Sequence, residues 1–170
     1  RAWWLLRWAG VDDVRILDGG LSAWGARGGE LESGDVVVPE SDITLSSGRM
    51  PVVDADAALQ TASHGVLLDA RAGERFRGEV EPIEPVAGHI PGAQCAAFTE
   101  NLGADGRFLP ADVLKQRFEQ KLDGRPVASL VAYCGSGVTA CHNLFALCLA
   151  GYPLAPLYAG SWSEWITDAQ

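Results

Sequence analysis

No run of apolar residues in this sequence approaches the roughly 20 that a helix across a bilayer needs. The longest, residues 144–150, is closed by Gly151 and Pro153. No two of the four cysteines stand as C-x-x-C, so neither a zinc ribbon nor a thioredoxin-type pair is expected. Basic residues are few: 13 against 22 acidic, a net charge of -9 over 170 residues. That balance disfavours nucleic acid as a partner, because phosphate backbones are held by basic surfaces. A secretory signal and an initiator Met are absent too, so the expectation is a chain that begins partway through a longer one.

What is present can build a core: 48% of the residues are hydrophobic and 21% charged. The length fits about one domain, or one plus a piece of another. Four cysteines in such a chain point to a reducing compartment, and the expected location is cytoplasmic, with no membrane partner. Cys141 and Cys148 share one face of an expected helix and read as core packing. His142 next to Cys141 points elsewhere on that helix, so no metal pair forms there. No metal and no organic cofactor is expected.

Short apolar strands alternate with helices. Helices are expected over 1–9, 21–24, 54–63, 112–122, 139–150 and 161–166. Strands are expected over 14–17, around 36–38, and over 66–69, 94–98, 129–133 and 154–158. The stretch 69–92 holds Pro82, Pro85 and Pro91 and shows no regular pattern after Phe76. Loops of that length are usually functional. The alternation predicts an α/β fold with a parallel sheet covered by helices on both faces.

An internal echo is visible. Residues 3–24 run Trp-Trp-Leu-Leu-Arg-Trp-Ala-Gly, an apolar stretch ending Asp-Gly-Gly, then Leu-Ser-Ala-Trp. Residues 144–165 repeat the order: an apolar helix stopped by Ala-Gly, a strand, a Gly turn and a Trp-closed helix. Such self-similarity marks a duplicated unit. The expected organisation is a remnant of a first unit over 1–29, a polar linker over 30–50, and a complete second domain over 51–170. Residues 1–24 hold Trp3, Trp4, Trp8 and Trp24, four of the six tryptophans. A helix apolar on nearly every side expects burial all round, so the rest of the first unit is expected to pack there.

Cys134 stands where an apolar strand stops, followed by Gly135, Ser136, Gly137, Val138, Thr139 and Ala140 at a helix start. Ligands in open α/β sheets bind at such carboxyl ends. Two glycines let successive amides face one point as an anion nest, and the helix adds its positive end. That field favours negative charge on sulfur, which makes Cys134 the candidate nucleophile. A cysteine phosphatase needs an arginine six residues after the cysteine, and here that residue is Ala140. A papain-like protease needs a histidine base, and no local signature supports His64, His89 or His142. A thiolate in an amide nest needs no base and is suited to holding a sulfur atom as a persulfide.

The segment 134–140 resembles the active-site loop of the tandem-domain sulfurtransferases, the rhodanese and 3-mercaptopyruvate sulfurtransferase family. Four further segments agree: Leu68-Asp69-Ala70-Arg71, residues 74–79 with Gly88-His89-Ile90-Pro91-Gly92-Ala93, Leu17-Asp18-Gly19-Gly20 with Trp24, and residues 160–165. The resemblance implies a rhodanese-like domain of about five parallel strands, an inactive first domain, and a catalytic second one built on Cys134. It implies transfer of a sulfane sulfur from 3-mercaptopyruvate, or thiosulfate, to cyanide or a thiol acceptor. Amides of residues 135–140 would hold the persulfide, with Ser136 and Thr139 as hydrogen-bonding groups. Gly135 and Ser136 match the mercaptopyruvate members rather than those with two basic residues there. Arg75 matches an arginine that contacts the donor anion; the alternative is a surface ion pair with Glu74 or Glu79. The mercaptopyruvate members carry a second arginine before Gly-His-Ile-Pro-Gly, whereas residues 80–85 here have none and hold Glu81 and Glu84. Asp69, Arg71 and His89 read as structural hydrogen-bonding groups. A non-catalytic sulfur carrier or regulatory module is the competing possibility.

Overall fold

The computed structural model describes residues 1–167. The last three residues of the expected second domain, 168–170, lie outside the described part. Five strands form one parallel sheet: β1 (Val52–Val53), β2 (Val66–Asp69), β3 (Gln94–Cys95), β4 (Leu130–Tyr133) and β5 (Leu157–Tyr158), in the order β1-β5-β4-β2-β3. The helices are α1 (Ala2–Trp8), α2 (Gly20–Ala26), α3 (Ala55–His64), α4 (Gly73–Phe76), α5 (Ala111–Leu122), α6 (Ala140–Leu149) and α7 (Ser161–Trp165). Among the described residues, no helix is long and apolar enough to cross a membrane.

The two central strands are apolar apart from Asp69, which pairs with Arg71, because both of their faces are covered. Alternate side chains serve two cores. Val66, Leu68, Leu130, Ala132 and Leu157 face a core with Leu114 and Phe118 of α5 and Leu144 and Leu147 of α6. Leu67, Val131, Tyr133 and Tyr158 face the other, with Ala58 of α3 and Trp162 and Trp165 of α7. Helix α3 opens on Asp54, whose carboxylate accepts the Ala57 amide at 2.9 Å.

Several expected elements differ. Residues 14–17 and 36–38 form no strand, and Val37 is 93% exposed. Apolar residues alone do not make a strand; its amides and carbonyls need a neighbouring strand, and residues 1–51 contain none. Strand β3 ends at Cys95 rather than Phe98, and the chain turns into a 3-10 helix over Phe98–Asn101. Strand β5 starts only at Leu157, since Pro153 and Pro156 have no amide to donate. Strand β1 is an addition, two residues long and paired only with β5.

Helix α1 is better covered than its sequence implied. Trp4 is 3% exposed within the larger core, Trp3 meets Phe145 of α6 edge-on at 4.9 Å, and Trp8 packs against the same core. Leu5 and Leu6 remain 42% and 44% exposed, and Ile16, Leu17, Leu21 and Trp24 are exposed as well.

Candidate active site

Strand β4 is central in the sheet and ends one residue before Cys134. The Cys134 side chain is 2% exposed. Its backbone is fastened from α7: its amide donates to Ser161 Oγ at 3.1 Å, and its carbonyl accepts the Trp162 amide at 3.0 Å. The Gly135 carbonyl accepts the Ser163 amide at 2.9 Å and lies 2.7 Å from Ser163 Oγ.

Beyond Cys134 the chain wraps into the start of α6. Among the described residues, no protein acceptor takes an amide of residues 135–140. The carbonyls of the same loop are occupied. Arg1 Nη1 donates to Ser136 O at 3.2 Å and to Gly137 O at 2.9 Å, and Cys141 Sγ lies 3.2 Å from Gly137 O. A trans peptide points its C=O and the next N–H in opposite directions. Fixing those two carbonyls therefore turns the amides of Gly137 and Val138 away from Arg1. Gly137 makes this possible: its φ is 69°, and a Cβ there would stand 2.6 Å from Ala159 O. The six amides and the positive end of α6 can together stabilise an anion.

A cleft of about 290 Å³ opens on this loop, lined by Cys134, Gly135, Ser136, Val138 and Thr139 on one side. Arg71, Ala72, Arg75, Ile83, Glu84 and Phe98 line the rest. Gly137 and Ala140 are buried behind the loop. The structure thus brings Arg75 and Ser136 to the cleft of Cys134. A larger hollow of about 470 Å³, between residues 17–29 and Arg107, does not touch Cys134 and offers no nucleophile.

Arg75 is not paired as the sequence implied. Its partner is Glu81: Nη2 donates to Oε1 at 2.5 Å and Nε to Oε2 at 3.2 Å. Glu79 is taken by Arg77 instead, at 2.7 Å. Glu81 also accepts Arg71 Nη1 at 3.3 Å and the amides of Ile83 and Glu84, each at 3.2 Å. Burial works against its ionisation, yet the bonds from Arg75 and the two amides prevail and hold its pKa below the ordinary 4.5. Arg71 is itself buried and donates to both oxygens of Asp69, the shorter contact being 2.7 Å, and to Gly88 O. His89 donates from Nδ1 to Phe76 O at 2.6 Å and stacks on the Phe76 ring. Asp69, Arg71 and His89 thus frame the loop, as expected of hydrogen-bonding groups.

The other thiols do not line the cleft, although Cys141 backs the loop from behind at Gly137 O. Burial pushes Cys141 up to about 11 and raises Cys95 and Cys148 as well, so each stays protonated near neutrality. His142 is wedged against Phe98 and Phe108, and its Nδ1 accepts Asn101 Nδ2 at 3.1 Å. The sequence reading missed Arg1, Glu81, Ser161 and Ser163 as parts of the site. Glu81 left a signal, as an acid where an arginine was awaited, and Ser161 and Ser163 lie in the segment 160–165 already singled out for its resemblance, though without a role.

A buried cysteine, followed by amides that take no protein acceptor among the described residues, stands at the carboxyl edge of a five-stranded parallel sheet in an α/β domain. The chain belongs to the rhodanese-like domain family, which it matches over residues 53–168. It is 64% identical over 172 residues to a Pseudomonas aeruginosa protein named Probable 3-mercaptopyruvate sulfurtransferase, covering 99% of this chain and 60% of that protein. Among solved structures it resembles the 3-mercaptopyruvate sulfurtransferase from Leishmania major, with a TM-score of 0.80 and 30% identity over 98% of this chain and 47% of the other. It also resembles an EanB variant bearing a cysteine persulfide, in a tetrahedral intermediate state with ergothioneine. There the TM-score is 0.83, with 28% identity over 98% of this chain and 43% of the other.

Proposed function

We propose that this chain carries the catalytic unit of a sulfurtransferase in which Cys134 accepts a sulfane sulfur and passes it on. The observation that carries the reading is the set of six amides after Cys134 that no protein acceptor takes among the described residues, on a loop that lines a cleft the size of a small donor. Similarity to proteins named 3-mercaptopyruvate sulfurtransferase supports it, as does the persulfide in the EanB structure.

The proposed donor is 3-mercaptopyruvate in preference to thiosulfate. The Cys134 thiolate attacks the donor sulfur, an Sγ–S bond forms and the C–S bond breaks. The electron pair stays with carbon, giving the enolate of pyruvate, which takes a proton. The persulfide carries its charge on the outer sulfur, which the amides of residues 135–140 stabilise. A thiolate or cyanide then attacks that outer sulfur, the S–S bond breaks, and the Cys134 thiolate returns. Ser136 and Thr139 supply hydroxyls to donor or sulfur. Arg75 supplies positive charge toward the donor carboxylate.

The domain proposal is that residues 1–29 belong to a first, non-catalytic repeat, 30–50 to a linker and 51–170 to the catalytic repeat. The exposed face of Leu5, Leu6, Leu17 and Leu21 is the surface on which the rest of that repeat would pack.

One observation favours a second reading, a non-catalytic sulfur carrier: Glu81 already occupies the guanidinium that would hold a donor. A single assay separates the two. Given 3-mercaptopyruvate and excess cyanide, an enzyme forms many equivalents of thiocyanate and pyruvate, and a carrier stops after one. Cys134→Ser abolishes both, since an alcohol forms no persulfide.

A further inference from the structure

We propose that Glu81 is a built-in counter-anion of the donor site, which selects a singly charged donor over a dianion by occupying Arg75. The inference rests on the reading of Cys134 as a sulfur acceptor and adds a residue that sets donor class.

Glu81 is not a chance surface partner. Its side chain is 4% exposed, and it gathers Arg75, Arg71 and two backbone amides on one carboxylate. Arg75 spends Nε and Nη2 on it, leaving Nη1 without a hydrogen-bond partner among the described residues. The guanidinium lies against the active loop: a Cβ placed on Gly135 would be 3.7 Å from Nη2 and 3.8 Å from Nη1. A released Arg75 therefore bears directly on whatever the loop binds. Two arginines, Arg71 and Arg75, meet three carboxylates at this cleft: Asp69 and Glu81 pair with them, and Glu84 lines the wall near Ser163 Oγ. The side chains sum to no positive charge, so the pull of Arg75 on a donor is offset by Glu81 and the loop amides with the positive end of α6 carry most of the attraction. A dianion is penalised twice as strongly as a monoanion, since the interaction scales with donor charge. The same network explains how the cleft stands without a second arginine at 80–85: Ile83 lines it, and Glu81 turns back on Arg75.

The test is Glu81→Gln, which keeps the side-chain size and removes the charge; its one oxygen can still accept at the Oε1 position, while its NH2 takes the place of Oε2 and gives up the bonds from Arg71 Nη1 and Arg75 Nε. Arg71 retains Asp69 and Gly88 O, so the fold keeps its buried pair. Because the effect scales with charge, a gain of about threefold for a monoanion implies about tenfold for a dianion. Calorimetric titration with sulfate and with pyruvate reads this without turnover. The expected result is a Kd for sulfate about tenfold lower and for pyruvate about threefold lower in the variant. In steady state, KM for thiosulfate falls more than KM for 3-mercaptopyruvate while kcat changes less. Adding Arg75→Ala removes the gain, because Glu81 acts through that side chain. Glu79→Gln, whose partner is Arg77, changes neither anion. Should Glu81→Gln fail to fold, Glu81→Asp is the second variant. It keeps the charge but cannot reach Arg75 as fully, so it shifts selectivity in the same direction by less. Equal gains for both anions, no gain, or a gain that survives Arg75→Ala overturns the proposal. Failure of the sulfurtransferase reading looks different: neither donor leaves sulfur on Cys134, while the sulfate and pyruvate titrations still report the charge selectivity.

Discussion

The amide of Cys134 donates to Ser161 Oγ at 3.1 Å, and Ser161 holds that oxygen in place from a left-handed backbone position, φ 57°. The same hydroxyl donates to Tyr158 O at 2.9 Å, so one buried side chain ties the end of β5 to the end of β4. Removing it leaves the Cys134 amide buried without an acceptor. Ser161→Ala is therefore expected to lose about 1–3 kcal/mol of stability. Ser161→Gly loses the same bond but relaxes the left-handed backbone, so it falls short of the alanine variant's loss. Urea unfolding of the three proteins gives this ranking.

Arg1 holds the carbonyls of Ser136 and Gly137 and thereby the direction of the loop amides. Arg1→Ala is expected to slow sulfur loading of Cys134 by roughly fivefold, about 1 kcal/mol for exposed charge-assisted bonds. Thermal stability should change little, because the arginine side chain is exposed. Arg1→Lys should recover part of the rate. Stopped loading reactions read by mass check this.

Burial pushes the His142 imidazole below its ordinary 6.5. The Asn101 amide reinforces the neutral form by donating to Nδ1, where the second proton would go. A depressed folded value means the contribution of His142 is full above pH 6.5 and is lost as pH falls through the lower folded value. The urea midpoint of the native chain should drop between pH of about 7.5 and about 5.5. His142→Gln keeps an acceptor and does not titrate, so its midpoint should drop less over the same interval.

The central sheet was legible because residues 66–68 and Leu130–Tyr133 are apolar at every position, as expected of strands buried on both faces. Residues 14–17 and 36–38 carry the same local signal and form nothing, because pairing is a property of two strands and the partner is missing there. The two-residue β1 was illegible for the opposite reason: its pairing with β5, not its own pattern, makes it a strand. In the site, the loop after Cys134 could be read because strand, glycines and helix follow one another directly. Arg75 with Glu81 could not, since the residues between them leave the end of α4 with no period and the chain turns at Gly78, φ 76°, before the two side chains meet. Arg1 lies at the other end of the chain from the loop it holds, a contact that only the docking of α1 on α6 creates.

The central claim is that Cys134 carries the sulfur. The direct measurement is peptide mass mapping after brief exposure of the native 170-residue chain to 3-mercaptopyruvate, with no acceptor present. The account predicts the mass of one added sulfur atom on the peptide holding Cys134, removed by cyanide and absent in Cys134→Ser. Added sulfur on Cys95, Cys141 or Cys148, or none on Cys134, would contradict it.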